Sequence, residues 1–278
     1  MIRFSTFHSR ALRCALVLTI AVLVSACSRP GEPAAGGAAA PAVAGDRAQA
    51  SRPAITPEPP PPPRTPGPVV PPQGPEPVRG KDYEEIANGA PFEAVPGKIE
   101  VVEVFGYVCP ACARFAPLVE PWHRKLPEDV HFTYVPAPFG PEWDPYAKAY
   151  FAAQSLGLVD RTHMALINAI HANNTMPGEG DKPDPQAIAD FYAAYGANPK
   201  QFLDLMNSFA VATKVNRGKQ FMQRSGVTGT PTMVVNGKYR VTGGESYDDV
   251  LRITEHLIAR ERAAMSGAAT APASGAGG

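Results

Sequence analysis

Proline is the residue that most restricts this chain. Sixteen of its 32 prolines lie between residues 28 and 80, including the run Pro59 to Pro63, in a stretch with no aromatic side chain from which to build a core. Proline lacks a backbone N–H and fixes φ, so such a stretch can enter neither a helix interior nor a central strand and adopts extended, polyproline-like backbone instead. Residues 27–80 are therefore expected to form a disordered linker, Ala/Gly-rich and then Pro-rich. Fully extended at ~3.1 Å per residue it would reach on the order of 160 Å, and as a coil nearer ~40 Å. The folded part is then 81–264, which holds both tryptophans and all but a few of the aromatic residues. At ~180 residues it can bury one sizeable core. The Ser, Gly, Ala and Pro mixture of 265–278 reads as a disordered tail. With 26 basic and 26 acidic residues, the chain has no net field to attract nucleic acid, and no basic run in the domain supplies a local one.

The first 26 residues have the pattern of an export signal: Arg3, Arg10 and Arg13, an apolar run from Cys14 to Val24, then small residues. The run falls short of the ~20 residues needed to span a bilayer, which favours a cleaved signal, with a plain anchor helix as the alternative. Its ending, Val24-Ser25-Ala26-Cys27, resembles the lipobox of bacterial lipoproteins, which implies cleavage before Cys27 and a lipid on its sulfur. An ordinary signal with an incidental cysteine is the alternative. By the same resemblance Ser28, a non-Asp residue after the lipidated position, slightly favours the outer membrane.

Cys14 leaves with the signal and Cys27 is taken by lipid, so the mature soluble part keeps only Cys109 and Cys112. A bridge between residues this close closes almost no loop and stabilises little through chain entropy. The pair is expected to be chemical rather than structural. Zinc is disfavoured, because a structural site needs about four ligands and no second cluster accompanies this one.

Lys98 to Phe105 reads as a buried strand. Cys109 to Leu126 reads as a helix with Pro110 in its first turn, kinked or interrupted at Pro117 and Pro121. Val130 to Val135 alternates as a second strand. Helical segments follow near 146–158, 161–173, 185–195, 199–207 and 209–225. Asn236-Gly237 then joins strands 232–235 and 238–241 in a hairpin, and a final helix spans about Tyr247 to Arg262. The order is α/β: a thioredoxin fold with a helical domain inserted at about 145–225.

From about 98 to 263 the chain resembles the DsbA family of periplasmic thiol-disulfide oxidoreductases. The resemblance rests on Glu103-Val104-Phe105, Cys109-Pro110-Ala111-Cys112, Gly229-Thr230-Pro231 and Val235-Asn236-Gly237-Lys238-Tyr239, in the family's order and spacing. A thiol exchanges with a disulfide only as thiolate. At the first turn of a helix Cys109 faces unpaired N–H groups and the positive end of the helix dipole, which makes it the nucleophile and Cys112, one turn on, the resolving thiol. Glu103 lies in an apolar strand, where an unpaired carboxylate is costly. It is expected either to pair with Lys98 or Lys238 or, as the resemblance implies, to move a proton to or from Cys112. The resemblance also implies a cis Thr230–Pro231 bond beside the motif and a Thr230 backbone that pairs with extended substrate. Glu100, His163, His171, His123 and His131 are expected at the surface or boundary without partners. Phe191, Tyr192 and Tyr195 have core spacing, and Trp143 and Tyr146 are candidates for a peptide groove.

Two departures from the best-known oxidases bear on direction: Ala111 replaces a histidine that helps hold the thiolate, and Thr230 replaces a valine. The reading is a disulfide oxidase for exported proteins, needing no cofactor and no metal, monomeric, periplasmic and held to a membrane by lipid. The resemblance implies reduced unfolded exported proteins as substrates and a DsbB-type quinone-linked membrane oxidase as the reoxidising partner. A reductase or isomerase is the alternative among enzymes, and a non-enzymatic lipoprotein scaffold the alternative outside them.

Overall fold

The computed structural model of the protein describes residues 56–270. The expected signal 1–26, the lipidation site Cys27, the first half of the linker and residues 271–278 lie outside the described residues.

The core is built on one strand. β2 (Ile99–Phe105) is buried at all seven positions, as a Val-rich run with helices on both faces requires. It pairs in parallel with β3 (Val130–Pro136) and antiparallel with β4 (Thr232–Val235). β5 (Tyr239–Val241) follows β4, and β1 (Tyr83–Glu85), for which the sequence carried no clear signal, closes the far edge, giving the order β1-β5-β4-β2-β3. Ile99 and Val101 join Phe115 and Val119 of helix α1 (Pro110–His123) and Leu257 of α7 (Tyr247–Thr270) in one apolar cluster. Val102 and Val104 join a second cluster with the helical insertion, formed by α2 (Asp144–Ser155), α3 (Val159–His171), α4 (Pro185–Ala193), α5 (Pro199–Met206) and α6 (Phe209–Ser225). This is the expected thioredoxin fold with its helical insertion.

The β4–β5 turn meets the demands of a tight hairpin. Asn236 and Gly237 both have positive φ, 52° and 64°, the combination a right-twisted two-strand ribbon favours. A Cβ on Gly237 would also collide with the backbone of Ala90. The turn is held to α7 by Glu261, which accepts from Asn236 Nδ2 (2.5 Å) and Lys238 Nζ (2.7 Å).

Three expectations need correction. α1 is one helix through Pro117 and Pro121, so neither interrupts it: each proline removes a single ladder donor, and the apolar face buried against β2 holds the remaining turns. α7 extends to Thr270, past the expected start of the tail at 265, because alanines and a methionine after Arg262 are good helix formers. Finally, residues 56–77, expected within a free linker, lie along the domain. Arg64 Nη2 donates to the carbonyls of Leu126 (3.1 Å), Pro127 (3.3 Å) and Val130 (3.3 Å). Gly67 N donates to Lys125 O (2.9 Å), Arg124 Nη1 to Pro62 O (3.1 Å) and Asn168 Nδ2 to Glu58 Oε1 (3.1 Å). Proline cannot donate but keeps its carbonyl, so an extended proline-rich segment can dock through acceptors without contributing to a core.

Arg64→Ala is expected to cost about 1 kcal/mol of stability and to strip hydrogen-exchange protection from the Gly67 amide. A Gly67 amide that already exchanges at the unprotected rate in the wild type would show that the strap is not docked.

Candidate active site

The amino end of α1 carries the chemistry. Cys109 is its N-cap, with extended backbone (φ −77°, ψ 116°), and Pro110 follows at the first helical position, where a missing N–H costs nothing. The cap side chain is a sulfur in place of the usual oxygen. Cys109 Sγ accepts from Cys112 N at 3.3 Å, so a donor left over by the helix start points at the reacting atom. Cys112 Sγ, one turn deeper, accepts from Gly106 N at 3.4 Å. Both cysteines are free thiols in this structure.

These placements separate two chemically identical groups. The Cys109 thiol is brought down to about 5 by the Cys112 thiol hydrogen bond first, against the opposing effect of burial, with further help from the Thr230 side chain and the amides of Cys112 and Ala111. Cys112 is pushed far up, by burial first and then by its hydrogen bond to Cys109 and the charge of Glu103. At neutral pH the pair is one thiolate and one thiol.

The cis Thr230–Pro231 peptide lies directly against this pair. Thr230 O stands 3.6 Å from Cys109 Sγ, able to accept from the thiol when it is protonated. Thr232 Oγ1 donates to Gly229 O at 2.8 Å and braces the loop. Beside it opens a cleft of about 410 Å³ lined by Gly229, Thr230, Pro231, Thr232, Arg240 and Thr242 among others. From α7, Tyr247 OH donates to Ala111 O at 3.1 Å and fixes the middle of the motif. Gly106 has no room for a side chain, since a Cβ there would meet the Trp143 ring at 2.1 Å. Trp143 is buried, and the half-exposed Phe139 packs on it at 5.4 Å.

Glu103 lies below on β2, 2 % exposed, with Oε2 lacking any hydrogen-bond partner. Burial raises its carboxyl well above the ordinary range, and the charges of Glu120 and Cys109 raise it further. The pairing with Lys98 or Lys238 does not occur: Lys238 is committed to Glu261 at 2.7 Å. An apolar strand flanked on both sides leaves no path for a lysine to reach this depth.

Other expected surface groups are buried or partnered. Glu100 is 2 % exposed, because the chain at Phe92 and Glu93 folds over it and donates both backbone N–H groups to its carboxylate. His163 is buried and stacks on Tyr134 at 4.2 Å, with Nδ1 3.2 Å from Tyr107 OH. His171 Nε2 lies 2.7 Å from Tyr107 O. His123 meets Glu120 at 3.2 Å and stacks on Phe132, while His131 meets Thr133 at 3.0 Å and Glu93 at 3.7 Å. Glu120, which the sequence reading passed over, is 8 % exposed and accepts from Tyr134 OH at 2.7 Å. One signal pointed to it: Cys112, Ala116 and Glu120 are spaced four apart, on a helix face shared with the resolving cysteine.

The model of the DSBA-like thioredoxin domain family matches residues 100–253. The chain belongs to this family. Thiol:disulfide interchange protein DsbA of Pseudomonas aeruginosa is 40% identical over 186 residues, covering 66% of this chain and 85% of that protein. Its namesake in Pseudomonas syringae pv. tomato is 40% identical over 190 residues, covering 68% and 86%. Among solved structures, oxidoreductase DsbA from Xylella fastidiosa has a TM-score of 0.64 at 45% identity, covering 67% of this chain and 98% of its own. Pseudomonas aeruginosa DsbA has a TM-score of 0.61 at 40% identity, covering 68% and 96%. This DsbA-family chain is a thiol:disulfide oxidoreductase.

Two titrations follow from the asymmetry. In the reduced protein the thiolate absorbance of Cys109 should rise with a midpoint near pH 5. The native thiol lies below its ordinary value of 9.0, so the reduced form gains stability that is full above pH 9 and lost as pH falls to about 5. The stability gap between reduced and oxidised protein, read from denaturant midpoints, should therefore shrink across that window and level off below it. Glu103 has the opposite sign. Above pH 4.5, the ordinary carboxyl value, the unfolded chain releases a proton that the native carboxyl retains, so folding weakens as pH rises. Glu103→Gln is expected to stabilise the domain above that pH and leave it unchanged below; equal stability at neutral pH would contradict a buried, unpaired Glu103.

Proposed function

We propose that this oxidoreductase introduces disulfides into exported proteins in the periplasm. One observation carries the direction: Cys109, as N-cap of α1, has its thiolate stabilised by Cys112, Thr230 and backbone amides. Whatever stabilises the thiolate stabilises the reduced pair, and a pair that prefers to be reduced is an oxidising disulfide.

In the proposed cycle a substrate thiolate attacks Cys109 Sγ. The Cys109–Cys112 bond breaks, its electron pair passes to Cys112 Sγ, and that sulfur takes a proton from the Glu103 carboxyl. A second substrate thiolate then attacks the substrate sulfur of the mixed disulfide, forming the substrate disulfide and releasing Cys109 as thiolate. Two electrons have moved from the substrate thiols to the cysteine pair. A DsbB-type quinone-linked membrane partner takes them away. The cleft beside Thr230 and Pro231 accommodates extended substrate, whose backbone pairs with that of Thr230 in the manner of an added strand.

Ala111 removes one stabiliser of the thiolate relative to a histidine at that position. Thr230 adds one, since a hydroxyl can donate to the sulfur and a valine cannot. The two departures therefore act on the thiolate in opposite directions. The chain acts as a monomer, anchored through lipid on Cys27, with the outer membrane slightly favoured. Val24-Ser25-Ala26-Cys27 supports the anchor and Ser28 the choice of membrane.

Equilibration of the Cys109–Cys112 couple with glutathione is the deciding measurement. A pair far more oxidising than glutathione is expected, and Thr230→Val should raise the Cys109 titration midpoint and make the pair less oxidising. Cys109→Ser should abolish oxidation of a reduced unfolded substrate, and so should Cys112→Ser, whose remaining Cys109 thiolate should instead attack a substrate disulfide, release one substrate thiolate and stay trapped as the mixed disulfide. A reducing potential, with Cys109 found predominantly reduced in cells and kept so by an electron donor, would make the enzyme a reductase or isomerase. Exchange unaffected by Cys109→Ser would leave only a scaffold.

A further inference from the structure

The carboxyl of Glu103 is not alone in the interior. Glu103 and Tyr134 are register partners on parallel β2 and β3, so their side chains leave the same face of the sheet. Above them passes α1, whose buried stripe runs Cys112, Ala116, Glu120. Tyr134 OH donates to Glu120 Oε1 at 2.7 Å. On the outer side, Glu120 Oε2 meets His123 Nε2 at 3.2 Å and Arg124 Nη2 at 3.3 Å. From α3, His163 Nε2 stands 4.0 Å from Glu120 Oε1.

The charges facing Glu103 can thus be enumerated. α1 contributes Glu120, Cys112 and the capping Cys109; β3 contributes Tyr134; α2 contributes Tyr150, whose phenol is coupled to Glu103; α3 contributes His163 behind Tyr134. The β4 residue opposite Glu103 is Met233, which carries no charge. Burial holds His163 down to about 4, so at neutral pH it faces Glu120 as a neutral ring. Burial opposes ionisation of Glu120, but the hydrogen bond from His123, the charges of His163 and His123 and the hydrogen bond from Tyr134 outweigh it and lower that carboxyl; at neutral pH, with the His163 ring uncharged, the hydrogen bonds from Tyr134 and Arg124 and the contact with His123 remain. Glu120 is thus a carboxylate at neutral pH, with His123 and Arg124 on its Oε2 and Tyr134 on its Oε1. The charge of Glu120 raises the Glu103 carboxyl, since neighbouring carboxyls cannot both ionise as cheaply as one alone.

We propose that Glu120 is a positioning residue for disulfide exchange: its anchored carboxylate, on the same helix stripe as Cys112, keeps on Glu103 the proton that Cys112 Sγ takes up as it leaves the disulfide. The step balances. The substrate S–Cys109 Sγ bond forms, the Cys109 Sγ–Cys112 Sγ bond breaks, Cys112 receives the electron pair and a proton, and Glu103 is left as carboxylate. Glu120 touches neither sulfur. Its effect passes entirely through Glu103, and so rests on the proton-donor reading of that residue.

Infrared titration of the reduced, full-length protein tests this through the protonated carboxyl band of Glu103, assigned by its loss in Glu103→Gln. Glu120→Gln is expected to lower the pH at which the band disappears by about one unit or more. The alkaline fall in the rate of substrate oxidation should move down by the same amount. Glu120→Asp, which keeps the charge, should restore both. Glu120→Leu combined with His123→Leu and Arg124→Leu removes the carboxylate together with both groups on its Oε2 and should reproduce the Gln result, which covers the case in which the single variant does not fold. An unmoved band, or an equal shift in Glu120→Asp, overturns the proposal. A shifted band with an unmoved rate profile instead overturns the proton-donor reading of Glu103, and with it any part for Glu120 in exchange. A rate shift that persists when Glu120→Gln is placed in the Glu103→Gln background overturns the route through Glu103.

Discussion

The hydrogen bond from the Cys112 amide to Cys109 Sγ joins architecture to chemistry. Every helix begins with unsatisfied N–H groups, and most satisfy one with a side-chain oxygen. Here the acceptor is a thiol that can ionise, so the ordinary requirement of ending a helix becomes a device for holding negative charge. The rest of the molecule serves to keep that helix start in place. β2 anchors the preceding loop, Trp143 packs on Gly106 so closely that no side chain fits, and Tyr247 secures Ala111 from α7.

The same helix gives its two cysteines opposite fates. Cys109 sits where donors converge. Cys112, one turn along, faces the sheet, where burial first and then the neighbouring sulfur and Glu103 disfavour a second anion. Exchange needs this inequality: a nucleophile that is ionised beforehand and a resolving sulfur that ionises only when the bond is made or broken.

What the sequence made legible were features whose cause is local. The Cys-Pro-Ala-Cys start of α1, the Asn236-Gly237 turn and the punctuation between the insertion's helices each follow from one or two residues' backbone preferences, and those elements lie where expected to within a few residues. The misread positions depend on distant neighbours. Glu100 is buried because Phe92 and Glu93, well before it in the chain, supply two donors. His163 is buried because α3 folds its ring against Tyr134, and nothing in its helix spacing distinguishes that from a boundary position. β1 is three residues long and exists through its pairing with β5, so it has no period of its own to detect. For the site, the cysteine pair was legible from its spacing, and Thr230, Pro231 and Glu103 from the family resemblance; the structure brings Thr230 against Cys109 and Glu103 within electrostatic reach of Cys112. The fate of Glu103's suspected partner was not legible, since Lys238 is drawn instead to Glu261 on α7.

The proline-rich strap shows why composition alone misjudged residues 56–77. Low aromatic content correctly excludes a core contribution, yet docking needs only carbonyl acceptors and a fixed extended backbone, both of which proline supplies. The family match starts at residue 100, so this strap precedes the matched domain. Its middle docks at the carboxyl end of α1, with Arg64 on the carbonyls of Leu126, Pro127 and Val130, and Pro62 O on Arg124, the same arginine that meets Glu120, while Glu58 meets Asn168 of α3 and Gln73 and Pro75 meet His256 and Arg252 of α7. The amino end of α1, with Cys109, carries no such contact among the described residues. One helix thus separates two tasks along its length, with the connection to the preceding chain at one end and the reactive sulfur at the other. The buried carboxylate of Glu120 lies between them.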